Sequence, residues 1–276
     1  MARTAAPSAV EARALGDRAE IALRRGDPAD AERLYLRALS LVAEADSGEA
    51  ALERKLRNGL GMAYKARGRF GAARATYEQV LRALAEAGEL DGVDAAAVWH
   101  NIGGVEHARR NFAAGEVAAR RAVEIRSAAL GPDHPLAVAD RVALAALLQG
   151  QRRDDEAEAL YVAALEHYER RPDADRLEIA VTSNNLGALL AARGDLAGAR
   201  RSYRRALEIK RDLLGAGHQD VALTRHNLGM LELQAGKHAV AYEHLAAALA
   251  VLRSRLGAEH PRSVACAAAL QAAADA

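Results

Sequence analysis

The stretch Ala180-Val-Thr-Ser-Asn-Asn-Leu-Gly-Ala-Leu-Leu-Ala-Ala-Arg193, followed by Gly194-Asp195 and then by Leu196 through Leu214, decides the fold. Ala and Leu, both strong helix formers, dominate the two halves, and Gly194-Asp195 breaks them apart. In the second half Ala199, Tyr203 and Ala206 fall at spacings of four and three, which places them on one face of a helix. Gly215 follows as a stop signal. The reading is a helical hairpin. Gly187, Ala199 and Ala206 let the two backbones approach closely, and Tyr203 fills the space between them.

The same unit recurs at a fixed step. Ala31, Ala73, Gly115, Ala157, Ala199 and Ala241 are each 42 residues apart. The step also carries Tyr35 to Tyr77, Tyr161 and Tyr203, and Gly61 to Gly103, Gly187 and Gly229. The turn glycines Gly26, Gly68, Gly194 and Gly236 keep the register, each suited to the left-handed conformation that closes a short helix–helix turn. Asp27-Pro28 adds an N-cap with proline at the first helical position. One such hairpin cannot bury its apolar side alone, so the copies must stack. The expected architecture is all-α: an α-solenoid in which one array occupies 1–276. Its six helix-turn-helix repeats cover about 12–53, 54–95, 96–137, 138–179, 180–221 and 222–263, and a capping helix follows at about 261–274.

Composition agrees and narrows the function. Apolar residues make up 51% of the chain and aromatics only 4%, while charged residues reach 27% at a net charge of +1. That mixed surface makes no electrostatic case for nucleic acid or an anionic membrane. The one cysteine, Cys266, rules out an internal disulfide framework and points to the cytoplasm. Met1 to Val10 is Ala-rich and lacks an apolar core segment, so no signal peptide is expected. No run of about 20 residues is both apolar and free of charge, so no membrane span is expected.

The markers Leu60-Gly61-x-x-Tyr64, Gly68, Ala73 and Tyr77, with Trp99-x-x-Ile102-Gly103 in the next copy, resemble those of the tetratricopeptide repeat. The usual repeat has 34 residues; the additional length here reads as an extended second helix plus a loop. The closing segments Leu130-Gly131-Pro132-Asp133-His134-Pro135 and Leu256-Gly257-Ala258-Glu259-His260-Pro261 resemble those of the kinesin-light-chain subclass, as do Ala122-Val-Glu-Ile-Arg126 and Ala206-Leu-Glu-Ile-Lys210. Three departures stand out. The third copy has Arg110, Gly115 and Ala119 at the turn-glycine, alanine and tyrosine places, which suggests looser packing. The fourth has Arg152 at its turn, and the first has no Leu-Gly pair and reads as a polar cap.

The resemblance implies a right-handed superhelix in which first helices line a concave groove and hold an extended peptide. Asn58, Asn101, Asn184, Asn185 and Asn227 take the fifth and sixth places of their copies, and His100 and His226 take the fifth place of theirs. An asparagine amide offers a donor and an acceptor, matching a peptide backbone. The same amides could instead bond neighbouring helices and stabilise the stack. Groove places two, five, nine and twelve add Lys55, Met62, Lys65, His107 and Met230, with Leu223 and Leu233. The groove therefore reads as basic and polar toward one end and apolar toward the other, fit for an acidic stretch at Lys55 and Lys65 and an apolar stretch at Leu223, Met230 and Leu233. A net bond contributes about 0.5–1.5 kcal/mol and micromolar binding needs about 8 kcal/mol, so amides alone cannot hold a ligand.

His134, His218 and His260 recur in the loops at multiples of 42 and read as helix caps rather than metal ligands. Arg200, Arg201, Arg204, Arg205, Lys210 and Arg211 read as a solvated helix face, with nucleic acid or an acidic partner as the alternative. Cys266 and His260 are six residues apart with no orienting acid, and no phosphate loop, HExxH or CxxC is present. The expected function is non-catalytic: an adaptor or scaffold binding a peptide or protein segment, with no cofactor and no metal, monomer favoured. The alternative is a ligand-sensing regulatory subunit that controls a separate effector such as a protease or transcription factor.

Overall fold

The computed structural model describes residues 7–45, 48–170 and 176–276; part of the Met1–Val10 segment therefore lies outside the described residues. These residues form thirteen α-helices. The first member of each hairpin is α1 (Pro7–Arg24), α3 (Ala50–Ala66), α5 (Val93–Ala108), α7 (Pro135–Gly150), α9 (Arg176–Ala192) or α11 (Gln219–Gln234). The second member is α2 (Pro28–Ala45), α4 (Phe70–Glu86), α6 (Phe112–Leu130), α8 (Asp154–Glu169), α10 (Leu196–Leu214) or α12 (His238–Leu256), and α13 (Pro261–Ala274) ends the series. No strand occurs among the described residues. The chain divides into two compact units, Met1–Gln151 and Arg152–Ala276.

Within each unit every helix packs on the next, and neighbouring first helices also touch: α1 with α3, α3 with α5 and α5 with α7 in one unit, α9 with α11 and α11 with α13 in the other. Among the described residues of either unit, neighbouring second helices do not. First-helix surfaces therefore crowd onto one side of each unit.

The marker residues do the close packing. A Cβ on Gly61 would lie 2.4 Å from the ring of Tyr77, and one on Gly187 would lie 2.9 Å from Tyr203. Tyr77, Tyr161 and Tyr203 are buried, with Ala73, Ala157 and Ala199 beside them in sequence register at zero exposure. The third copy, where looser packing was expected, is looser at one place and filled at another. Gly103 faces the Gly115 carbonyl and the small Ala119 at ordinary contact distance, but Leu147 of α7 reaches in to Gly115, where a Cβ would meet its Cδ2 at 2.4 Å.

The turns obey the backbone demand that the sequence implied. Gly26, Gly68, Gly194 and Gly236 all have positive φ, between 70° and 85°. Arg110 and Arg152, at the same place in their copies, are forced to φ 61° and 65°. A non-glycine residue there costs about 1–2 kcal/mol. Arg110→Gly should therefore raise stability by roughly 1 kcal/mol in urea denaturation, with no change in helix content by circular dichroism.

Each junction between copies adds polar contacts in register. Glu32 of α2 accepts from Arg67 and Arg69 (both 2.7 Å) after α3. Its counterparts Glu116 and Glu158 accept from Gln151 and Arg193 at 2.7 Å. Where the same place holds arginine, the geometry reverses: Arg74 reaches Glu106 of α5 at 2.9 Å, and Arg200 reaches Glu232 of α11 at 2.6 Å.

A second register column lies deeper. It pairs the end of each second helix with a place fourteen residues on, near the start of the next first helix: Val42 with Leu56, Leu84 with Val98, Arg126 with Asp140, Tyr168 with Thr182, Lys210 with Thr224, Leu252 with Cys266. Every one of these residues is buried. Arg126 bonds Asp140 at 2.7 Å, and Lys210 donates to the Thr224 hydroxyl at 3.0 Å.

Candidate functional site

The candidate residues sit on the first helices α3, α5, α9 and α11. In the Met1–Gln151 unit, Asn101 Nδ2 donates to Asn58 Oδ1 at 2.9 Å. In the Arg152–Ala276 unit, Asn227 Nδ2 donates to Asn184 Oδ1 at 3.2 Å. The rule is simple: the sixth place of one copy bonds the fifth place of a neighbouring copy, 43 residues away. All five asparagines are half-buried, and none has an amide atom that is both buried and unpartnered. Each pair thus consumes one donor and one acceptor and leaves the others open. Asn185 makes no side-chain bond of this kind among the described residues.

The two lysines differ. Lys55 Nζ lies 3.2 Å from Glu20 and 3.9 Å from Asp17 of α1, so its charge is already matched. Lys65 has no ion pair among the described residues. Its ammonium rests against Gly104 of α5, where a Cβ would be only 2.4 Å from Nζ. Burial pulls its pKa down from the usual lysine value. His107, edge-on to Phe112 at 5.6 Å, is held below the ordinary histidine value by desolvation and then by the Lys65 charge. Met62 and Met230 are exposed at 44% each, large apolar surface at the ninth place of two copies. Leu223 and Leu233 pack partly against the core of α11–α13.

The two fifth-place histidines have opposite surroundings. His100 Nδ1 lies 2.7 Å from Asp140 Oδ1, and that oxygen also accepts from Arg126. The carboxylate has no exposure, and its other oxygen has no partner among the described residues. Three copies later, His226 meets no such carboxylate, because the place of Asp140 holds Cys266. Its Nδ1 is buried and unpartnered, and desolvation lowers its pKa. Asp140 was not among the sequence-expected residues.

The remaining candidates resolve as structure. His134, His218 and His260 are N-caps: each Nδ1 accepts the backbone N–H two residues on, at 3.1–3.2 Å. No group of three or more His, Cys, Asp or Glu able to hold a metal occurs among the described residues. The Cys266 thiol is buried, shares its Sγ with the Leu245 carbonyl at 3.5 Å, and is pushed up in pKa by burial. The α10 cations need a correction. Arg200 turns inward to the buried Glu232, and Lys210 is itself buried, its pKa lowered by desolvation, so these two are packing elements, while Arg201, Arg204 and Arg211 are exposed as a solvated face would be. No helix is long and apolar enough to cross a membrane among the described residues.

The family pattern described as tetratricopeptide repeat matches residues 10–86, 94–170, 137–212 and 175–254. No curated protein matches. Among solved structures, BtubC (BKLC) from P. vanneervenii is 24% identical, with 75% of this chain and 89% of that chain covered and a TM-score of 0.59. A Podospora anserina putative kinesin light chain is 18% identical, covering 72% and 93%, with a TM-score of 0.55. NprR in complex with its cognate peptide NprX is 12% identical, covering 94% and 72%, with a TM-score of 0.72. At these identities the likeness is one of fold. With four family matches that together cover most of a chain of hairpins in one register, the protein belongs to the tetratricopeptide repeat family.

Proposed function

We propose that the six hairpins act as one array and that the first-helix face binds a peptide or an extended protein segment, without catalysis, as an adaptor or scaffold in the cytoplasm. The observation that carries this reading is the set of open amide atoms: Asn58 with Asn101, Asn184 with Asn227, and Asn185 alone. Each offers a donor or an acceptor to an extended backbone, which needs both. Family membership supports an interaction role, and a solved neighbour of the same fold, NprR, is seen with a peptide.

Lys65 supplies the charge term in this reading. A half-buried, unmatched ammonium gains from a carboxylate more than the exposed and already paired Lys55 does. Met230 with Leu223 and Leu233 supplies the apolar term in the other unit. His100 and His226 flank the amides as hydrogen-bonding side chains at the fifth place.

The bonded and unbonded asparagines give a direct test. Asn185→Ala should abolish or weaken partner recovery in a pull-down while leaving the thermal melt unchanged. Asn184→Ala should also lower stability, by about 0.5–1.5 kcal/mol, because Asn227 loses its acceptor. Equal recovery of a defined partner by wild type and Asn185→Ala would defeat the reading.

A further inference from the structure

The first copy also departs at the fifth place of its first helix. Gly16 of α1 stands where Asn58, His100, Val142, Asn184 and His226 stand in the copies that follow. A cleft of about 340 Å³ opens beside it between α1, α2 and α3. Leu56 and Tyr35 floor it, both almost fully buried. A Cβ on Gly16 would meet Leu56 Cδ2 at 2.7 Å, so the helix backbone itself forms a wall.

The rim is charged and unbalanced. Asp17, Glu20 and Glu49 face Arg13 and Lys55 across it. Arg13 is held by Glu49 at 2.8 Å. Lys55 spans Glu20 and Asp17 at 3.2 and 3.9 Å, but all three side chains are between 42% and 70% exposed. Such a screened pair contributes little and exchanges readily. Tyr35, with 3% exposure, lines the cleft and has no hydrogen-bond partner for its hydroxyl among the described residues. Burial first, and then the Glu20 and Asp17 carboxylates, push its pKa up to about 12, with Arg24 opposing; the rim itself carries three carboxylates against two cations.

We propose that this cleft receives a basic side chain, arginine or lysine, from the bound chain. The aliphatic stem lies on Tyr35 and Leu56, and the cationic end displaces Lys55 between Asp17 and Glu20 while the Tyr35 hydroxyl meets the ligand from below. This rests on the first-helix face being a peptide surface and adds a residue preference to it. It also reverses the charge expected of a ligand at Lys55: that position favours a cation beside it, and Lys65 remains the place for an acidic group.

The test uses single blocked amino acids and the full chain. N-acetyl-arginine methylamide and the lysine, glutamate and norleucine equivalents are titrated into ¹⁵N-labelled protein at fixed ionic strength. The arginine and lysine probes should shift the Gly16, Asp17 and Tyr35 amides saturably, with dissociation constants on the order of 1–10 mM. Glutamate and norleucine should be at least about tenfold weaker, and Asp17→Asn with Glu20→Gln should weaken arginine by about tenfold or more. Both carboxylates are exposed, so the variant keeps the wild-type melt. Equal shifts by the glutamate probe, no saturable shift by arginine, or unchanged arginine binding by the double variant would each overturn the proposal. Because no peptide is involved, such a failure leaves the Asn185→Ala pull-down to decide the broader reading on its own.

Discussion

Asp140→Val is expected to cost the Met1–Gln151 unit about 3–5 kcal/mol, the usual loss when one partner of a buried ion pair is removed. The carboxylate has no exposure, and among the described residues it alone neutralises Arg126, whose own side chain is 8% exposed. Without it the guanidinium is buried and unmatched, and His100 loses the acceptor at Nδ1. His100 is 37% exposed on its side chain and can turn to water; Arg126 cannot. The decisive comparison is the double change Arg126→Leu with Asp140→Val. It installs the pair already present one junction earlier, Leu84 with Val98. Well-packed apolar residues replace a buried pair at little cost or at a gain, so the double variant should return to within about 1 kcal/mol of wild type. Urea denaturation and amide exchange in α6 and α7 report both. A single variant as stable as wild type would show that the pair is not desolvated.

The glycine column gives the second large effect, with opposite signs at equivalent places. Gly61→Ala should destabilise by about 1–3 kcal/mol, the range for overpacking a filled core, because the added Cβ falls 2.4 Å from the ring of fully buried Tyr77. Gly103→Ala should stabilise by about 0.5–1 kcal/mol, the helix-propensity difference between the two residues. Its nearest neighbour is the Gly115 carbonyl at 3.5 Å, an ordinary contact, since the third copy carries Ala119 in place of tyrosine. Melting temperatures of the two variants should move in opposite directions.

The repeat was legible because its signal is steric. Gly187, Ala199 and Tyr203 are determined by how closely two backbones approach, so the spacing survives in the sequence wherever the packing does. The caps were legible too, since His134, His218 and His260 precede helices at a fixed place. The candidate face was legible only as a set of positions. That Asn101 bonds Asn58 follows from a step of 43, one more than the period, and a search for equal spacings passes over it. Asp140 escaped because it occupies an apolar column; the clue was a charge where Val98 and Cys266 stand, with Arg126 fourteen residues before it. Arg200 and Lys210 of α10 misled because a count of cations does not say which face each occupies. Only the contact of Arg200 with buried Glu232 settles that.

The deep column of buried pairs also bears on how such a gene could change length. Cutting out one whole period, residues 86–127, keeps the reading frame of hairpins intact and would look harmless. It would bring Leu84 against Asp140 and strand a carboxylate in oil. Cutting 127–168 would leave Arg126 facing Thr182. Unequal crossing-over, the easy route by which tandem units multiply and vanish, is thus penalised at these seams by chemistry, and each hairpin is tied to its own neighbours rather than to any of its siblings.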